Sequence, residues 1–122
     1  MSEFTYLYRG GRDTSPSPEQ RQKQLQKWAA WFKELGANGH LKELGHPLES
    51  AGMVVKGSQK IVMDGPYAEA KDVVGGYFIL EARDLAEAEA LVRDCPHMSL
   101  APTNWAELRP IEDMAQVRAA AS

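Results

Sequence analysis

The sequence predicts a small α+β domain in which two helices lie against one antiparallel sheet. Three observations carry the prediction. Short runs rich in aromatic and β-branched residues recur near both ends and in the middle of the chain. Two stretches bear an apolar stripe at spacings of three and four behind a capping residue. Between them, Gly76 to Ala82 reads too continuously apolar for a strand with one wet face.

Taken in order, Phe4 to Arg9 mixes aromatic and β-branched residues and stops at Gly10-Gly11, as a first strand does. Ser17, Pro18 and Gln20 supply an N-cap, a first helical position and a capping-box partner, so a helix starts near Pro18. Leu25, Trp28, Ala29, Phe32 and Leu35 give that helix one core-facing stripe, with Gly36 as its stop. Gly39 to Leu44 is a weaker strand, diluted by Lys42 and Glu43. Met53-Val54-Val55 and Ile61-Val62-Met63, joined by a glycine-bearing connection, make a hairpin or one interrupted strand. After Gly76–Ala82, Asp84 and Glu87 form a second capping box, Leu85, Ala88, Leu91, Val92 and Cys95 form the stripe, and Pro96 ends the helix. Trp105 to Ile111 is the last strand. One domain over residues 1–113 is expected, with 114–122 as a short alanine-rich tail that frays or caps an edge.

The resulting β-α-β-β-α-β order is that of a ferredoxin-like sandwich, whose helices cover one face of the sheet. Tyr6, Tyr8, Tyr77, Phe78, Ile79 and Leu80 nevertheless place large apolar groups on both faces. A second copy packed sheet to sheet is the simplest cover, so a homodimer is expected.

Composition narrows the function classes. A chain of 122 residues buries roughly two-thirds of its unfolded surface, and 43% hydrophobic with 25% charged residues is ordinary globular composition. A formal net charge of −3 offers no general attraction for nucleic acid or an anionic membrane. Cys95 is the single cysteine, which excludes an internal disulfide and the multi-cysteine zinc spacings. The first residues lack the basic segment and apolar run of a signal peptide, and no apolar run approaches the ~20 residues that span a bilayer. A cytoplasmic protein with no membrane segment is the expectation. His40, His46 and His97 show no paired metal-binding spacing, so neither a metal nor a cofactor is expected.

The most informative stretch is Asp64-Gly65-Pro66-Tyr67, with Glu69, Lys71 and then Gly75-Gly76-Tyr77 behind it. As chemistry, this is first a turn: Asp bonds its own backbone, Gly takes unusual φ values and Pro fixes φ. The functional reading sets the Asp64 carboxylate at a strand end beside Tyr67, Glu69 and Lys71, where a ligand meets an acid, a phenol and an ammonium. These residues resemble the YCII-related family, in particular its DGPF branch, with Tyr67 in place of the usual Phe. The resemblance runs from the first strand to the last and implies a dimeric α+β barrel with a pocket between sheet and loops. In that fold His46, just before Pro47, approaches the Asp64 turn and becomes a candidate acid-base partner. Founding YCII-like members also carry a His in the first helix and an Asp beside the Pro after the second. Here Gln24 to Trp28 contains no His and Cys95 precedes Pro96, so that pair is absent.

Arg9 and Arg109 end strands read as neighbours and offer a candidate anion site, against the commoner reading of solvated strand ends. Cys95 at a helix C-terminus reads as core filler. The sequence thus expects a homodimeric small-molecule pocket protein, in one form an acid-base enzyme using Asp64 and His46, with Tyr67, Glu69, Lys71, Arg9 and Arg109 binding ligand. The alternative is a non-enzymatic binding or regulatory module that docks a partner protein. A purely structural interaction domain is the third.

Overall fold

The computed structural model describes residues 1–10, 17–49, 51–65, 72–100 and 103–122. Its elements are β1 (Ser2–Arg9), α1 (Pro18–Ala37), β2 (Leu41–Pro47), β3 (Gly52–Lys56), β4 (Ile61–Gly65), β5 (Val74–Ala82), α2 (Leu85–Val92), β6 (Trp105–Pro110) and α3 (Met114–Ala121), with a 3-10 turn at Pro96–Ser99. β1, β2, β5 and β6 form one antiparallel sheet in the order β2-β5-β1-β6, and β3 pairs with β4 in a separate two-stranded sheet.

Alternation along the two central strands sets the core. Phe4 and Tyr6 on β1 pair with Leu80 and Phe78 on β5, and these four, with Ala82, are buried on one face. Leu35 of α1, Ala88 and Val92 of α2, and Cys95 close over them, with Trp28, Trp31 and Phe32 packed alongside. Phe78 is the hub, its ring 4.6 Å from Tyr6, 5.1 Å from Phe32 and 5.5 Å from Trp31. Leu7, Tyr77 and Ile79 point to the opposite face and are only half-buried in the single chain.

The helix starts follow local chemistry. Ser17 Oγ accepts from the Gln20 backbone N–H at 3.2 Å, with Pro18 at the first helical position. Asp84 accepts from the Glu87 N–H at 2.9 Å, while the Glu87 carboxylate takes the Arg83 backbone N–H and Arg83 Nε rather than returning to Asp84.

Four expectations shift, and one open alternative is decided. α1 runs past Gly36 and is capped at Asn38, with Gly39 in the left-handed region just beyond. Leu25, expected in the core stripe, is 62% exposed, because the first turns of α1 extend beyond the sheet's covered area. β2 runs on to Pro47 through two register shifts, with Gly45 at φ 65°. A Cβ at Gly45 would collide with the Tyr77 carbonyl oxygen, so only glycine lets the strand bend against β5 here. The tail is helical: Asp113 caps the Ala115 N–H at 2.8 Å, and the alanine-rich run has the propensity to continue. β3 and β4 form a hairpin rather than one interrupted strand, and Met53, Val55, Ile61 and Val62 are exposed on it.

Candidate functional site

One end of the four-stranded sheet gathers the last residues of β1 and β2 and the first residues of β5 and β6. Three bonds fasten the chain there. Leu48 N–H donates to the Gly75 carbonyl at 2.7 Å, Gly10 N–H to the Val73 carbonyl at 3.3 Å, and the Arg9 guanidinium to the Asp72 carbonyl at 2.7 Å. The chain that leaves β4 after Gly65 therefore returns to the sheet at this end.

Beside it, between α1 and β2, lies a cleft of about 570 Å³. One wall is aromatic: Tyr8, Trp28 and Phe32 stand in a row, with centroids 5.5 Å apart for Tyr8 and Trp28 and 5.4 Å for Trp28 and Phe32. Leu25 and Ala29 extend this wall, and Leu44, Gly45 and Pro47 of β2 complete the lining. No Asp, Glu, Lys or Arg is among the described lining residues. The cleft's volume falls in the range of small-molecule sites, which are mostly apolar with a few placed polar groups.

Tyr8 supplies a polar group. No hydrogen bond reaches its hydroxyl among the described residues, and burial pushes its phenol pKa up, the nearby Cys95 thiol adding to the effect. Like any tyrosine it is protonated at neutral pH, so its O–H is there to donate. Its ring lies over Gly76, where a Cβ would strike the Tyr8 hydroxyl and ring, so this glycine makes the seat for Tyr8.

Behind the cleft, buried His97 packs 5.4 Å from the Tyr8 ring and 6.5 Å from Trp28. Its Nε2 is 2.6 Å from the Arg9 carbonyl and 3.1 Å from the Trp105 carbonyl. A nitrogen between two carbonyl acceptors must carry the proton, so His97 donates to both and ties the end of β1 to the start of β6. Asn104 in turn donates to the His97 carbonyl at 3.0 Å. Cys95 is buried, and that burial pushes its thiol pKa up, against the smaller lowering effect of the neighbouring Tyr6 hydroxyl and the His97 backbone. A thiol held protonated is not a nucleophile.

The residues singled out from the sequence are distributed as follows. Asp64 is exposed on β4 of the hairpin, opposite Met53. His46 lies on β2, opposite Tyr77, with the two rings 6.3 Å apart. The two residues belong to different sheets, and no hydrogen bond or ion pair joins them among the described residues. Tyr67, Glu69 and Lys71 lie outside the described residues. Arg9 pairs with Glu107 at 3.0 Å and stands over the Trp105 ring at 5.2 Å, and Arg109 reaches the same carboxylate at 3.8 Å. β1 and β6 are neighbours as expected, and the Glu107 carboxylate pairs with both guanidinium groups.

The aromatic cleft and the His97 tie were missed by sequence reasoning, which read Trp28 and Phe32 as part of one core-facing stripe. A signal for the cleft was present. The stripe Leu25, Trp28, Ala29, Phe32 and Leu35 is longer than the sheet can cover, so its first part had to face something other than the core.

A family model described as the YCII-related domain matches residues 5–115. An uncharacterized protein of Rhizobium meliloti (strain 1021) is 29% identical over 80 residues, covering 66% of this chain and 64% of that protein. The matched stretch therefore spans less than two-thirds of the relative's length. A solved structure, 5-chloro-2-hydroxyhydroquinone dehydrochlorinase from Burkholderia phenoliruptrix AC1100 in complex with 2,5-dihydroxybenzoquinone, aligns over 85% of this chain and 90% of its own, at 19% identity and a TM-score of 0.37.

Proposed function

The chain belongs to the YCII-related family, and from that premise we propose that it is a homodimeric small-molecule pocket protein whose ligand sits between α1 and β2. The observation that carries this reading is the cleft of about 570 Å³ with its row of aromatic rings and its lack of charged lining residues. We assign the chain to the DGPF branch on Asp64-Gly65-Pro66-Tyr67, and read the sheet order, with helices packed on one face, as ferredoxin-like. The half-buried Leu7, Tyr77 and Ile79 support a second copy closing a dimeric α+β barrel on the other face. A single buried cysteine suits a reducing, cytoplasmic setting. No helix among the described residues is long and apolar enough to cross a membrane.

In the enzymatic form of this reading, Asp64 and the segment bearing Tyr67, Glu69 and Lys71 bring polar groups to a ligand held by the aromatic wall, with His46 as acid-base partner. Arg9 and Arg109 steady the rim through Glu107. The non-enzymatic form, a ligand-binding or regulatory module that docks a partner protein, gains from a specific observation: Asp64 and His46 stand on separate sheets with no bond between them.

Two variants test the proposal. Ala29→Phe places a ring in the cleft from the exposed face of α1 and is expected to abolish binding of apolar aromatic probes in calorimetry while circular dichroism stays unchanged. Unaltered binding by a folded Ala29→Phe protein would rule out the cleft. Asp64→Asn is expected to keep binding and to lose any turnover found by metabolite screening; retained turnover would remove Asp64 from the chemistry.

A further inference from the structure

We propose that the ligand is a neutral, planar, unsaturated molecule carrying an oxygen acceptor, and that the Tyr8 hydroxyl recognises it by donating a hydrogen bond. This rests on the α1–β2 cleft being the ligand site and names the chemistry that the cleft selects.

Three features point the same way. The first is shape. Tyr8, Trp28 and Phe32 present a row of rings, with Trp28 and Phe32 inclined by only 29°, while the β2 side at Gly45 is bare backbone. Gly45 carries no side chain on that wall, where Leu44 and Pro47 flank it. A gap between rings and backbone suits a flat molecule, which gains stacking contact on the ring side.

The second is charge. With no charged side chain among the described lining residues, an ionised ligand would lose its hydration with nothing to replace it. The neutral form is selected.

The third is the placed polar group. Tyr8 is held by its packing over Gly76, and its hydroxyl has no partner among the described residues. At neutral pH the Tyr8 phenol carries its proton and has an O–H to donate to an acceptor on the ligand. A ligand without an acceptor would leave that donor partly desolvated and unpaired, which disfavours plain hydrocarbons.

The test uses three bicyclic probes of similar size in isothermal titration calorimetry near neutral pH: the ketone 1-tetralone, the hydrocarbon tetralin and the anion 1-naphthoate. The wild-type chain is expected to bind the ketone about three- to tenfold more tightly than the hydrocarbon, and the anion most weakly. Tyr8→Phe keeps the ring and is expected to bring the ketone down to the hydrocarbon's affinity while leaving the hydrocarbon unchanged. The carbonyl stretch of bound tetralone should lie at lower frequency in the wild type than in Tyr8→Phe, which a purely structural Tyr8 would not produce. Equal affinity for ketone and hydrocarbon, an advantage that survives Tyr8→Phe, or tightest binding of the anion overturns the ligand class but leaves the cleft as a pocket. Failure of all three probes to bind overturns both.

Discussion

Tyr6 and Tyr8 occupy successive helix-facing positions of β1 yet meet different surroundings. Tyr8 opens onto the cleft, whereas Tyr6 is fully buried with no hydrogen bond to its hydroxyl, and the Cys95 thiol is the polar group beside it. An unpaired buried donor costs more than it returns, so Tyr6→Phe is expected to leave stability unchanged or raise it by about 1 kcal/mol in urea unfolding. A loss above that size would mean that the hydroxyl makes a net favourable bond. Burial pushes the pKa values of Tyr6, Tyr8 and Cys95 up. Because the folded values lie above the unfolded ones, their contribution is complete at neutral pH. It is lost as pH rises through and beyond the ordinary thiol and phenol range, where the unfolded chain ionises first. Urea unfolding midpoints should therefore fall between neutral pH and about pH 10.5, and less steeply in Tyr6→Phe. At this scale the sequence was legible where chemistry is local. Cys95 as core filler could be read from its position at a helix end. The free phenol of Tyr8 could not, since it depends on Gly76 leaving room 68 positions further along the chain, as the register of β1 on β5 places it.

Among the elements, the caps were the most readable features, because Ser17 and Asp84 act within three residues of themselves. Asp84→Ala should cost about 1 kcal/mol in thermal or urea unfolding, with Asp84→Asn nearly neutral. Equal losses for the two would mean that the carboxylate charge, and not the cap bond, matters. β2 was less readable. Its end was expected at Leu44, yet the strand passes through Gly45 in the left-handed region to reach Pro47, a bend fixed by the Tyr77 carbonyl on a distant strand. Gly45→Ala should therefore destabilise the fold by more than the usual glycine-to-alanine effect of about 1 kcal/mol and weaken ligand binding together with it. α1 shows the converse case: its periodicity was plain, but how much of the stripe the sheet covers is a tertiary fact, and the uncovered part makes the aromatic wall.

For the whole molecule, the α+β class with an antiparallel sheet followed from element order and alternation, while the separate β3–β4 sheet did not, because a hairpin's local sequence does not say which edge it joins. The open sheet face leads to an assembly prediction. Ile79→Glu, on that face at the centre of β5, should convert a dimer to a folded monomer in sedimentation at micromolar concentration; a wild-type chain that is already a monomer would remove the sheet-to-sheet contact. The ligand site lies on the helix-covered side, so probe binding at the cleft is separable from assembly. Its most direct test is amide and methyl NMR of the isotope-labelled chain titrated with 1-tetralone. Shifts concentrated on Tyr8, Trp28, Ala29, Phe32 and Gly45 are the predicted result. Shifts confined to the hairpin around Asp64 or to Leu7, Tyr77 and Ile79 on the open face would contradict it.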